Sequence, residues 1–159
     1  MVKNPNNCET EIRNTVNGDA QPNGVDLRVS KIFKYSKEDD YFLLSDNEKH
    51  VRRLEEVEKN SDGYYVLDEG YYVLTFENEI SVGANECGWV YPRSTLMRNG
   101  LIIHSCVYDS GYVGTMLSGL TVNCKAYIAP HTRVAQFVTV DADANGTYNG
   151  QYQNKAKLI

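Results

Sequence analysis

At 159 residues, with 42% hydrophobic and 23% charged residues, the chain has the length of one globular domain with a sizeable core. A formal net charge of -5 disfavours non-specific binding to nucleic acid, because contacts to phosphate dominate that affinity, and no apolar run is long enough to span a bilayer. Cys8, Cys87, Cys106 and Cys124 stand far apart without a C-x-x-C pair, which argues against a zinc cluster and for reduced thiols.

The opening stretch, MVKNPNNCETEI, lacks the apolar core of a signal peptide, so a cytoplasmic location is expected. Residues 1–20 are polar and asparagine-rich and read as an arm. GVDLRVSKIF (24–33) alternates as a strand, with Asp26 at its start. The charged stretch 36–63 supports two readings: an amphipathic helix with Val51, Leu54 and Val57 on one side, or strands flanking a charged loop. Next comes an echo, GYYVL at 63–67 and again at 70–74, whose aromatic and β-branched residues around DEG predict two paired strands.

From there to residue 140 short strand-like segments alternate with turns, the pattern of a β-sandwich or barrel. They are YVLTFENEISV, GWVYP, LIIHSCVY, VGTMLSGLTVNC, AYIAP and RVAQFVTV. One short helix is expected at PRSTLMRNG, with Ser94 as N-cap and Gly100 as stop. VYDSGYVGTM (107–116) reads as a tight hairpin carrying a lone carboxylate, Asp109. The tail, 141–159, turns polar and tyrosine-punctuated, a composition shared by mobile ends and by lids.

Four stretches need to be read together, and one of them suits phosphate. Asp26 lies in QPNGVDLRV. Arg93, Ser94 and Arg98 cluster at a helix start, where backbone N–H groups and guanidiniums suit phosphate. Asp109 and Tyr112 share the hairpin, and Arg133 and Gln136 lie in PHTRVAQFV. Taken singly, each has an ordinary structural explanation: a turn acid, a solvated helix charge, a core tyrosine, a strand glutamine.

In this order, however, they resemble the dUTP diphosphatase (dUTPase) and dCTP deaminase superfamily over most of the chain. PRSTL is similar to the family's P-R-S-S/G-L, YDSGYVG to I-D-x-x-Y/F-x-G, and TRVAQF to D-R-I-A-Q-L. QPNGVDLRV resembles the deaminase-type Q-P-x-S-V-D-L-R-L. The resemblance implies a single-domain, all-β distorted jelly-roll barrel with one short helix after the PRSTL motif. The core domain would run 21–140, between an arm (1–20) and a tail (141–159) that acts as a lid. It further implies a homotrimer with sites at subunit interfaces, and no nucleic-acid or membrane partner.

The implied reaction converts dUTP to dUMP and pyrophosphate with Mg²⁺. Asp109, as a buried acid facing an arginine-lined pocket, would activate the water that attacks the α-phosphorus. Arg93, Ser94, Arg98 and Gln136 would hold phosphates, and Tyr112 would pack against the deoxyribose. His104, Ser105, Val107 and Tyr108 would lie beside the base, Tyr152 and Gln153 in a lid, and Asp26 would position Mg²⁺ through water. These residue types suit hydrolysis of a triphosphate, which needs a base for water and positive charge around phosphate oxygens.

Deaminases of the same fold carry a proton-shuttling glutamate in the strand after the third motif, a position that falls on Gly119. Glycine cannot carry a proton, so hydrolysis is favoured. A dCTP deaminase or a diphosphatase acting on dCTP or a modified pyrimidine is the alternative, because Arg98, QPNGVDL and the GQYQNK ending resemble the deaminase branch. A nucleotide-binding regulator on the same scaffold is the second alternative.

Overall fold

The computed structural model describes residues 1–37 and 40–154. In chain order its strands are β1 (Glu11–Ile12), β2 (Ala20–Gln21), β3 (Gly24–Tyr35), β4 (Leu43–Leu44), β5 (Lys49–His50), β6 (Leu54–Glu56) and β7 (Tyr65–Leu67). They continue as β8 (Gly70–Ser81), β9 (Glu86–Pro92), β10 (Leu101–His104), β11 (Val113–Val122), β12 (Ala126–Ile128) and β13 (Arg133–Asp141). One α-helix, α1 (Ser94–Arg98), joins β9 to β10.

The main sheet is antiparallel in the order β10-β11-β8-β3-β13-β9, with β1 added to β8 and β2 and β6 to β3. Its two ends meet again beyond β10. There Tyr108 N donates to Gly88 O (2.9 Å), Gly88 N donates to Tyr108 O (3.2 Å), and Val90 N donates to Ser105 Oγ (2.9 Å). This nearly closes the sheet into a barrel, which removes exposed strand edges. β7 pairs with β12 as a separate two-stranded sheet. No helix among the described residues is long and apolar enough to cross a membrane.

Period-two alternation aims one face of each long strand inward. On β11, Met116, Ser118, Leu120 and Val122 are buried in turn; on β8, Phe76, Asn78 and Ile80 are. They meet Leu27, Val29 and Ile32 of β3 and Val134, Ala135 and Phe137 of β13 in one core. Asn78 and Ser118 are the polar members of these rows: Asn78 Oδ1 accepts from Arg28 N (3.1 Å) and its Nδ2 donates to Arg13 O (3.2 Å), while Ser118 Oγ has no hydrogen-bond partner among the described residues.

The all-β barrel with one short helix matches the fold expected from the sequence; three local expectations are revised, and a fourth point, open between helix and strands, is decided. First, the GYYVL echo is not a hairpin: β7 pairs with β12 while β8 pairs with β3 and β11. Tyr65 and Leu67 are fully buried, and Tyr65 Oη donates to Ser30 O (3.1 Å), so long-range burial outweighs the local turn signal. Second, residues 107–116 form a turn whose arms have different partners, Gly88 for Tyr108 and Ser81 for Val113. Third, α1 starts inside the PRSTL motif with Arg93 at the N-cap, Ser94 being already helical; Gly100, at φ +75°, follows the C-cap Asn99. Fourth, the described part of 36–63 resolves to strands, with the β4–β5 hairpin followed by β6.

The first residues run along the barrel: Lys3 N donates to Thr139 O (2.9 Å), and β1 pairs with β8. Their anchor is Glu86, 3% exposed, whose carboxylate accepts from Thr10 N (2.7 Å), Thr10 Oγ1 (2.7 Å) and Glu9 N (3.1 Å). Burial alone would raise its pKa, but these bonds outweigh it and hold the carboxyl below its ordinary value of 4.5. A depressed folded pKa contributes stability that is complete above 4.5 and is lost as pH falls through the folded value. Glu86→Gln should therefore lose about 1–3 kcal/mol at neutral pH. Urea unfolding should show that gap to the unmodified protein closing as the pH is lowered below 4.5; a pH-independent gap would contradict this role.

Candidate active site

Two clusters gather most of the residues singled out in the sequence, and no hydrogen bond or ion pair joins the arginines of the first to Asp109 of the second among the described residues. The first sits where β3, β13 and the β9–α1 corner converge. Register places Gln136 opposite both Asp26 and Tyr91, and Ala135 opposite Pro92, bringing the PRSTL corner beside the QPNGVDL strand. Gly24 permits the close approach: a Cβ there would lie 2.5 Å from Phe137 O and 2.8 Å from Gln136 Cγ.

Asp26, 2% exposed, is the hub. Its Oδ2 accepts from Arg93 Nη1 (2.9 Å) and Arg133 Nη1 (3.3 Å), and its Oδ1 from Gln136 Nε2 (3.5 Å). Two guanidiniums share one carboxylate, leaving a net positive charge on two side chains that are about one-third exposed. Arg93 N also donates to Val134 O (3.0 Å), pinning the corner. Ser94 and Arg98 lie exposed on α1. At five residues this helix is little more than one turn, so the cluster's positive charge comes from the arginines, with little from a helix dipole.

Beneath this cluster, Asp19 repeats the device. It is fully buried and accepts from Arg28 Nη2 (2.7 Å) and Nε (3.0 Å). Burial would raise the Asp19 pKa, but the Arg28 bonds, with that from Val16 N, prevail and lower it. Asp19 and its partner Arg28 were not singled out in the sequence; NGDAQP offered only a polar turn.

The second cluster surrounds Asp109. The 109–112 turn closes with Tyr112 N donating to Asp109 O (3.0 Å), and Gly111 takes φ +77°. Gly111 N donates to Val82 O (3.2 Å) and Val82 N to Tyr112 O (2.8 Å), which fixes the turn to the β8–β9 corner. Where a buried acid was expected, the Asp109 side chain is exposed, and no hydrogen bond or ion pair reaches its carboxylate among the described residues.

Asp109 stands between two cavities. One, about 420 Å³, is walled by apolar and tyrosine side chains including Val107, Tyr108, Tyr112, Leu117 and Tyr148. The other, about 350 Å³, is lined by Cys87, Ser110 and tail residues Ala142 and 144–148. Neither is lined by an arginine or lysine among the described residues.

Tyr112, 6% exposed, donates its hydroxyl to Thr115 O (2.8 Å) and packs edge-on against Tyr108 and Tyr148. Burial raises its pKa. The Tyr108 hydroxyl bridges Leu117, donating to O (2.9 Å) and accepting from N (3.2 Å), which spans the β11 bulge; burial drives its pKa well up. Val107 is half exposed at both cavities. His104 and Ser105 line neither. His104 bonds Thr121 Oγ1 (2.8 Å) and stacks on Tyr71, while Ser105 Oγ donates to Cys106 O (2.7 Å) and helps close the barrel. At Gly119, paired with His104, a Cβ would overlap the Tyr71 hydroxyl.

The tail crosses its own turn. Tyr148 N donates to Ser110 O (2.7 Å), and Thr147 lies 2.7 Å from where a Gly111 Cβ would stand. Gln153 accepts from Val113 N (2.9 Å) and donates to Gly111 O (2.8 Å). Tyr152 lines the apolar cavity and accepts from Lys49 Nζ (2.9 Å). Residues 155–159, the end of the expected lid, lie outside the described residues.

For Mg²⁺ the chain's own residues are a poor fit. No three His, Cys, Asp or Glu side chains form a metal-binding group among the described residues. The Asp26 carboxylate, expected to position the ion through water, is already shared by two guanidiniums.

A family model described as dCTP deaminase-like matches residues 5–141. A protein of Halobacterium salinarum named "Probable deoxyuridine 5'-triphosphate nucleotidohydrolase" is 34% identical over 139 residues, covering 85% of this chain and 83% of its own length. The deoxyuridine 5'-triphosphate nucleotidohydrolase of Methanocaldococcus jannaschii is 31% identical over 156 residues, covering 98% of this chain and all of its own. Among solved structures, the 2'-deoxycytidine 5'-triphosphate deaminase of Agrobacterium tumefaciens superposes with a TM-score of 0.60 at 14% identity, over 82% of this chain and 43% of that one. The native EIAV dUTPase superposes at 0.52 and 17% identity, over 89% and 94%. At these identities the two structures speak to fold alone.

The Asp26 hub yields a direct expectation. Asp26→Asn leaves two guanidiniums without their anion and should cost about 1–3 kcal/mol, moderated by the arginines' partial exposure. A denaturant midpoint unchanged from that of the unmodified protein would contradict the hub.

Proposed function

Because the chain belongs to the dCTP deaminase-like family, we propose that it hydrolyses a pyrimidine deoxynucleoside triphosphate, dUTP first, to the monophosphate and pyrophosphate. The observation that carries this reading is the separation of two complementary half-sites. Asp109 stands at a nucleoside-sized cavity that no lysine or arginine lines among the described residues, and Arg93 and Arg133, outside that lining, keep residual positive charge. A homotrimer that sets Asp109 of one copy against the arginines of another would complete both.

In the completed site, Asp109 takes a proton from a water whose oxygen attacks the α-phosphorus. The bond from that phosphorus to the oxygen bridging toward the β-phosphorus breaks, and pyrophosphate leaves with the electron pair. Arg93, Arg133, Ser94 and Gln136 from the neighbouring copy neutralise and align the phosphate oxygens, and Arg98 extends the basic edge. Tyr112 forms the cavity floor against the sugar. The tail, with Tyr152 and Gln153, covers the nucleoside and excludes water from side reactions. Mg²⁺ would enter as the counter-ion of the triphosphate, since it prefers phosphate and water oxygens.

Deamination is disfavoured by Gly119, which offers no carboxylate and is overlain by Tyr71. Asp109 is the one carboxylate among the residues lining the apolar cavity.

Incubated with a panel of deoxynucleoside triphosphates and Mg²⁺, the protein should release pyrophosphate from dUTP. Asp109→Asn should reduce kcat by about 10³-fold or more while nucleotide binding changes little. Normal turnover by that variant, or ammonia released from dCTP without pyrophosphate, would overturn the reading.

A further inference from the structure

We propose that the charged segment 40–56 is a wall of the nucleoside pocket, in which Val51 and Leu54 contact the nucleoside and Lys49 positions Tyr152 over it. The inference rests on the nucleotide reading above and extends it to a stretch that none of the four motifs includes. Val51 sits in KHVRRLEE, a run of charged residues, and is 60% exposed. A valine facing water amid charges is unremarkable alone. Here, however, Val51 and Leu54 line the same 420 Å³ cavity as Asp109 and Tyr112, from a segment more than 50 positions earlier in the chain.

The segment is a built unit rather than a passing loop. Leu43 and Leu44 pair with His50 and Lys49. The Asp40 carboxylate accepts from Arg53 N (2.6 Å) and Tyr41 N (2.9 Å) and bonds His50 Nε2 (2.8 Å), drawing the two ends of the hairpin together. Tyr41 stacks on His50 with ring centroids 4.4 Å apart.

From this base Lys49 reaches the tail. Its Nζ donates to Tyr152 Oη (2.9 Å) and lies 5.4 Å from the ring centroid. Tyr152 is itself part of the cavity lining. The wall and the cover thus grip each other across 103 positions of sequence.

The cavity chemistry selects the occupant. Its volume falls in the range typical of small-ligand pockets. Its lining is apolar and tyrosine-rich, without a lysine or arginine among the described residues. That suits a pyrimidine ring with its deoxyribose and repels a phosphate chain, which must leave at the Asp109 rim.

The test is titration of a non-hydrolysable dUTP analogue, with the bridging oxygen between the α- and β-phosphorus replaced by NH, into the full-length protein by calorimetry. Val51→Asn and Leu54→Asn should each weaken binding about tenfold by exchanging apolar contact for an unpaired amide. Lys49→Met and Tyr152→Phe should each weaken it about threefold, and their combination no further, because the two act as one pair. If Leu54→Asn fails to fold, the exposed Val51 and Lys49 sites decide the matter. Unmodified protein that binds while every variant binds equally well would overturn the wall and leave the hydrolase reading standing. Unmodified protein that binds no pyrimidine nucleotide would overturn both.

Discussion

A buried carboxylate must be paired, and in this chain Asp26 meets that demand with Arg93 and Arg133 together. Those three residues come from β3, the β9–α1 corner and β13, so satisfying one charge fixes the mutual positions of three distant pieces of sequence. Gln136 joins at the same point through the β3–β13 register, and Gly24 allows the strands to close on it. The result is a pair of guanidiniums each held through Nη1 and each about one-third exposed. Long cationic side chains ordinarily lose considerable rotamer entropy when they bind an anion; here the fold bears much of that cost beforehand.

The same economy explains the exposed Asp109. Its turn is held by backbone bonds to Val82 and covered by Thr147 and Tyr148, while its carboxylate engages no other described residue. An acid without a hydrogen bond or ion pair at the rim of an apolar cavity contributes little to folding, and the proposed role as a base would draw on that freedom. Basic groups at one place and an acidic group at another give one chain two incomplete halves. In the proposed oligomer, assembly of identical copies would let each surface complete the other, and a closed cyclic arrangement would use every half-site.

Much of this architecture was legible in the amino-acid order. Alternation in GVDLRVSKIF, VGTMLSGLTV and RVAQFVTV marked strands that are long and half-buried, where side-chain period and burial agree. The four motifs named Asp26, Arg93, Asp109 and Gln136 because their residue types and order resemble a known family. What stayed hidden depends on contacts between remote positions. GYYVL repeats suggested a hairpin, yet the burial of Tyr65 and Leu67 sends β7 to β12. Ser105 looked like a base-reading residue, but its hydroxyl is taken up in closing the barrel against Val90. The clasp between Lys49 and Tyr152 leaves no trace in either local stretch, and the exposure of Asp109 follows from where β9 and the tail pass.

If Asp109 and Arg93 of different copies share one site, two variants that each lack one of them should rescue each other in mixed oligomers. Asp109→Asn and Arg93→Gln, each inactive alone, would be co-expressed at equal levels and the assembled protein assayed for pyrophosphate release from dUTP. Random assembly should restore activity to about a quarter of the unmodified rate, since half the copies retain each residue and a site needs both. Mixed oligomers as inactive as either parent would contradict the account, because they would mean that one copy must supply both residues.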